Sequence, residues 1–152
     1  MELSKLEVEF MGIMHRFAKL NMSQVIKEVS HGEFKLLQTI KYCCASNDGL
    51  VKVSDLAESL KVSVPAVSRM LGTLEDRGCI ERTIDKNNRR NTYVKLTSYG
   101  LTINESVCES LRNFTGQVFE QLGEEEVEQF IALSHKWITA MEKTIEEFNQ
   151  RK

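Results

Sequence analysis

The sequence predicts a mainly α protein with one β-hairpin set between its fourth and fifth helices. Three observations carry this. Among 152 residues there are one proline and eight glycines, too few breakers for a loop-rich β fold. Apolar residues recur at three- and four-residue steps along most of the chain, the spacing of amphipathic helices. After Gly78 the period changes to two, in Ile80, Arg82 and Ile84 and again from Tyr93 to Leu96.

The elements follow in order. Leu3, Leu6, Phe10, Ile13, Met14 and Phe17 mark a helix over 3–21. Ser30-His31-Gly32-Glu33 opens a second with a capping box, in which Ser30 accepts from the Glu33 amide and Glu33 reaches back to the Ser30 amide; Val29 and Phe34 sit where a hydrophobic staple needs them. Its buried side is Phe34, Leu37, Ile40 and Cys44, and Asn47-Asp48-Gly49 ends it with turn chemistry. Ser54 reads as the cap of a short helix over 55–60, with Leu56, Ala57 and Leu60 inward. Ser63 caps another over 64–77. Pro65 fits there because first-turn amides have no helical partner to lose. Val67, Met70, Leu71 and Leu74 form its core stripe, and Gly78 follows as a left-handed terminator. The hairpin of 80–84 and 93–96 needs helices to lean on. The fifth helix spans 98–121, with Leu101, Val107, Leu111, Phe114 and Val118 along one side, until Leu122-Gly123 breaks it. The last opens on Glu124-Glu125-Glu126, negative charge where the helix dipole favours it. It carries Val127, Phe130, Ile131, Ser134, Ile138, Met141, Ile145 and Phe148 on one stripe, with Trp137 beside it.

Composition narrows the function classes. With 41% apolar and 28% charged residues the chain is a folded domain rather than a disordered one. No apolar run approaches a membrane span, and MELSKLEVEF lacks the features of a signal peptide, so a cytoplasmic chain is expected. Cys43, Cys44, Cys79 and Cys108 show no CxxC spacing and read as thiols. The net charge of −2 is unevenly spread: residues 61–99 carry eight Lys and Arg against four Asp and Glu, residues 100–152 five against ten. A basic stretch in an otherwise acidic chain can mark a nucleic-acid face.

Two short capped helices joined at Lys61-Val62-Ser63 have the proportions of a helix-turn-helix, whose second helix enters the major groove of DNA. Off its core stripe that helix presents Ser63, Pro65, Ala66, Ser68, Arg69, Gly72 and Thr73, all small, hydroxylated or basic. Glu75 and Asp76 come only further along. The polar stretch DKNNRRNTYVKLT follows directly, and a basic loop in that place can reach the flanking backbone or minor groove.

Residues 50–100, with LAESL, then VSVPAVSRMLGTLEDRG, then a wing ending in Arg90, Val94, Leu96 and Thr97 with Gly100 three residues on, resemble the winged helix-turn-helix core of the MarR family of bacterial transcriptional regulators. The order of helices on both sides matches as well. The resemblance implies an α-α-α-α-β-hairpin-α-α protomer over 1–152, with a winged helix-turn-helix lobe at 30–97 and terminal helices, 1–21 and 98–152, forming a dimerisation bundle. It implies a homodimer on pseudo-palindromic double-stranded DNA, acting as a repressor released by a small-molecule effector. The long apolar stripes of the terminal helices independently ask for a partner surface. Carried over residue by residue, Ser54, Ser63, Pro65, Ala66, Ser68, Arg69 and Thr73 face DNA, with Lys86, Arg89 and Arg90 on the wing. Many family members have aspartate two residues before the wing arginine. Here that position is Asn88, so the wing is expected to be looser. The family's effector pocket maps to His15, Lys19, Lys35, Tyr42 and Arg112, with Met14, Phe34 and Cys108 as apolar walls.

Other readings stay open. Some relatives sense oxidants through a cysteine near the end of the first helix, where this chain has Phe17 and Ala18. Others bind metal, but His15, His31 and His135 lie far apart with no paired ligand spacing. No metal site, no cofactor, no membrane partner and no catalytic residue is expected. An all-helical dimeric adaptor binding protein rather than DNA is the alternative from another class.

Overall fold

The computed structural model describes residues 4–46, 49–85, 88 and 91–150. Its helices are α1 (Lys5–Ala18), α2 (His31–Ser46), α3 (Val53–Leu60), α4 (Val64–Asp76), α5 (Ser98–Leu122) and α6 (Glu124–Gln150), with a short 3-10 turn at Met22–Gln24. The strands are β1 (Val51–Lys52), β2 (Ile80–Ile84) and β3 (Thr92–Leu96). Two compact units emerge, Met1–Ser110 and Leu111–Lys152, with the division inside α5 rather than before it.

Local chemistry sets the ends of the helices. Ser30 and Glu33 form the expected capping box, the Ser30 amide donating to Glu33 Oε2 at 2.7 Å. A second capping box, Ser4 with Glu7, starts α1 later than expected, and the helix stops at Ala18 rather than 21 because Asn21 caps the 3-10 turn. Ser63 caps α4, accepting from the Ala66 amide. At the other end Gly78 takes φ 72°, and the Cys79 amide reaches the Leu74 carbonyl at 2.8 Å. That left-handed terminator costs a glycine nothing and would strain any other residue. The expected cap at Ser54 does not form. Helix α3 begins at Val53 after extended Lys52 with no side-chain cap, and Ser54 Oγ instead donates to Asp55 Oδ1.

The sheet also differs from expectation, having three strands in the order β1-β3-β2, all antiparallel. Strand β1 is only two residues long, and it pairs Val51 with Val94 against the strand that returns from the hairpin. The hairpin therefore leans on a strand as well as on helices.

The core of the first unit is built where the stripes of α2, α3 and α4 converge: Leu36, Leu37, Ile40, Leu56, Val67, Leu71 and Leu74 are fully buried, joined by Val94 and Val107. Leu36 enters where Phe34 was expected, and Phe34 stays half-buried. At the start of α5 the buried face is Gly100, Asn104 and Val107 rather than Leu101, which is exposed. The cause is Gly100: a Cβ there would lie 1.9 Å from the Cys79 carbonyl oxygen, so this face is pressed against backbone and Leu101 is turned outward. Thr97 fastens the same joint, donating from Oγ1 to the Gly78 carbonyl at 2.7 Å and accepting from the Gly100 amide at 2.9 Å. Asn104 is buried, with neither side-chain nitrogen nor oxygen hydrogen-bonded among the described residues.

The second unit, the end of α5 with α6, buries Val127. Phe130, Ile131, Trp137, Ile138, Met141, Ile145 and Phe148 are exposed, and Trp137, Ala140, Met141, Thr144, Ile145 and Phe148 line an apolar recess of about 410 Å³. Helix α1 likewise has no buried residue.

Candidate nucleic-acid interface

Helix α4 turns Val67, Leu71 and Leu74 inward, which fixes the face it shows to solvent. On that face Ser63, Pro65, Arg69 and Thr73 are exposed, while Ala66 and Ser68 are half-buried at its edges. No acidic residue occupies the first turn. Capped amides and the positive end of the helix dipole thus meet solvent together, the arrangement that receives phosphate oxygens. Val62 and Val64 add exposed apolar surface beside Pro65. The turn from α3 is tight because Lys61 takes the left-handed conformation, φ 53° and ψ 41°, letting the Val62 amide bond to the Ala57 carbonyl at 3.0 Å.

Arg82, absent from the sequence-based candidates, organises the seam between α4 and the hairpin. Its Nε lies 2.8 Å from Glu75 Oε2, and its Nη2 donates to the Ser68 carbonyl at 3.2 Å. Gly72 lies against this guanidinium, where a Cβ would stand 3.6 Å from Arg82 Nη2, an ordinary contact distance. The pairing offsets the negative charge of Glu75 on the α4 surface. Around it Lys52, Val53, Ser54, Val64, Ser68, Arg82, Asn91 and Thr92 line a cleft of about 230 Å³. Ser54 and Ser68 are thus brought together here, away from the exposed Arg69.

On the hairpin, Glu81 and Lys95 face each other across the strands and pair at 2.9 Å, and Lys52 Nζ sits 5.9 Å from the centre of the Tyr93 ring. Toward the tip the Asp85 amide donates to the Asn91 carbonyl at 3.0 Å, and the Asn88 amide donates to Asp85 Oδ1 at 3.4 Å. The carboxylate of Asp85 thus accepts from the turn's own backbone at Asn88. Lys86, Arg89 and Arg90 lie outside the described residues.

All but one of the residues expected to hold an effector lie in the first unit. Met14 and His15 lie along exposed α1 and Lys19 caps its end, Phe34 is half-buried on α2, and Tyr42 is exposed. Arg112 belongs to the second unit. A separate apolar recess of about 450 Å³ is lined by Leu20, Met22, Ser23, Ile26, Val29, Ser30 and His31.

The four cysteines are free thiols, with Cys79 buried and Cys43, Cys44 and Cys108 half-buried. Burial pushes the Cys79 thiol up, outweighing the nearby Arg77 charge, and burial together with neighbouring Cys43 pushes Cys44 up. Cys108 Sγ accepts from the Gln38 side-chain Nε2 at 2.9 Å. Among the described residues no group of three or more His, Cys, Asp or Glu is placed to hold a metal ion.

Residues 29–92 match the MarR family. The multiple antibiotic resistance protein MarR of Escherichia coli is 32% identical over 94 residues, 62% of this chain and 59% of that protein. A riboflavin kinase of Thermococcus kodakarensis is 34% identical over 80 residues, 49% of this chain and 36% of the enzyme. The chain therefore spans about three fifths of the one relative's length and about a third of the other's. Among solved structures, a mutant E. coli MarR complexed with operator DNA superposes with a TM-score of 0.62 at 24% identity, covering 86% of this chain and 94% of that one. The likeness establishes the fold, a mainly helical winged helix with a small antiparallel sheet.

Proposed function

We propose, from the match of residues 29–92 to the MarR family, that this chain is a sequence-specific DNA-binding transcriptional regulator of that family, a ligand-responsive repressor working as a homodimer on a pseudo-palindromic operator. One observation carries the reading: the capped start of α4 presents Ser63, Pro65, Arg69 and Thr73 to solvent with no acid in its first turn. Arg69 is the side chain suited to pair with guanine O6 and N7. Lys86, Arg89 and Arg90 supply phosphate contacts from the wing. The E. coli MarR complex with operator DNA is a precedent for the fold in this role.

The homodimer is supported by the apolar faces that α1 and α6 leave exposed in the single chain. In this reading residues 30–97 contact DNA, while 1–21 and 98–152 serve dimerisation. A regulator rather than an enzyme is favoured because the match to the kinase reaches only a minor part of it. Among the described residues no helix is long and apolar enough to cross a membrane, which suits a protein working on cytoplasmic DNA. The effector remains part of the proposal, with Met14, His15, Lys19, Phe34, Tyr42 and Arg112 as its candidate contacts.

The test is a salt-titrated binding measurement on duplexes enriched from a random pool. Arg69→Ala should weaken the enriched sequence most. Arg90→Ala should weaken all sequences and lower the salt slope by about one. The exposed α6 surface would equally suit a protein-binding adaptor, and absence of any salt-sensitive DNA binding would favour that reading.

A further inference from the structure

Arg77 closes α4 at the end remote from the proposed DNA contacts. Its Nη2 donates to the Glu28 carbonyl, and its Nη1 stands 3.8 Å from Glu33 Oε2. That same Glu33 oxygen accepts from the Ser30 amide and starts α2. The Glu28 side chain in turn accepts from Ser106 Oγ on α5 at 2.8 Å. One guanidinium therefore joins the end of α4 to the segment ahead of α2, and that segment joins α5. The partners are 49 and 78 residues apart in sequence, so the links constrain tertiary placement rather than local helix formation.

We propose that Arg77 is a positioning residue for DNA recognition: through Glu28, Glu33 and Ser106 it sets the aim of α4 and makes that aim respond to movement of α5 or of residues 26–30. The inference rests on the DNA-binding reading above. A hydrogen bond to a fixed carbonyl and an ion pair with a fixed carboxylate hold a helix end in one orientation, because a guanidinium presents its donors in a rigid fork. A shift of Ser106 moves Glu28, and Glu28 moves the carbonyl on which Arg77 is seated.

The experiment compares wild type, Arg77→Gln, Ser106→Ala and the double variant on one duplex enriched from a random pool by the wild-type protein. Binding is measured across a salt series, well below each variant's melting temperature. Both single variants should weaken binding about fivefold or more, the lower end of ordinary coupling between sites. The salt slope should stay unchanged, and the double variant should bind no more weakly than Arg77→Gln, since both break one chain of contacts. Ser106→Ala removes a single hydroxyl and keeps the test open if Arg77→Gln folds poorly. Unchanged affinity in Ser106→Ala, or additive losses, would overturn the proposal. A slope lowered by about one in Arg77→Gln would make Arg77 a direct phosphate contact and overturn it as well. If the wild-type protein enriches no duplex, the DNA reading falls first and this inference with it.

Discussion

Helices α4 and α6 are written in the same pattern and meet opposite fates. Each repeats apolar residues at three- and four-residue steps. In α4 the stripe Val67, Leu71 and Leu74 is fully buried, whereas in α6 Ile138, Met141 and Ile145 are each about half exposed in the single chain. Periodicity reports that a helix has an apolar face; it does not report what covers the face. For α4 the cover is α2, α3 and the strands of the same chain. For α6 the proposed cover is a second copy.

That contrast can be broken by substitution. Leu71→Ala should cost about 2–5 kcal/mol, the range for deleting a fully buried leucine side chain, read as a lower midpoint in urea denaturation at any protein concentration. Ile138→Glu should do something different in kind. By placing a charge on the face assigned to the partner, it should shift sedimentation from dimer to monomer while leaving the near-ultraviolet signature of the first unit intact. A monomeric wild type would refute the assignment of that face.

Asn88→Asp tests the other edge of the interface. A second carboxylate beside Asp85, near the wing arginines, should change DNA affinity by about 0.5–1 kcal/mol, the scale of an exposed ion pair. Titration by fluorescence anisotropy at low salt would detect it. No change would mean that Asp85 alone organises the turn.

The smallest effect concerns Glu28. Its hydrogen bond from Ser106 holds the carboxyl below its ordinary value of 4.5 in the folded protein. The unfolded chain then binds more protons across that window, so stability rises with pH through it. The contribution is present above 4.5 and lost as pH falls through the lower folded value. Ser106→Ala should flatten this acid limb in melting temperatures followed downward from neutrality. An unaltered limb would remove Glu28 from the account of acid stability.

What is legible in the sequence is what local rules determine. Ser63, Pro65 and Gly78 announce the ends of α4 through capping, first-turn and left-handed preferences that reach only a few residues. Because those ends and the stripe fix the helix's rotation, the outward residues Ser63, Pro65, Arg69 and Thr73 follow from the order of amino acids alone. Ser54 misleads because a serine before an apolar run looks like a cap, while the competing pairing of Val51 with Val94 spans 43 positions and leaves no local mark. Arg82 and Arg77 escape for the same reason, their partners Ser68 and Glu28 lying 14 and 49 residues away. Asn104 escapes because a polar residue on a helix is expected outside, and only the close seating of Gly100 on Cys79 rotates it inward.

That seating of α5 on the end of α4 has a further consequence for how the protein can change. Gly78 and Cys79 at one end of the hairpin, and Thr97 and Gly100 at the other, are fastened to each other by backbone and hydroxyl contacts. The excursion between them is closed at its base, independently of its tip. Lengthening a loop whose ends are already held costs little, about 0.6 kcal/mol for each doubling of its length. The wing is therefore an exchangeable cassette: its reach and its charge can be rewritten by insertion or grafting while the helices beneath it keep their places.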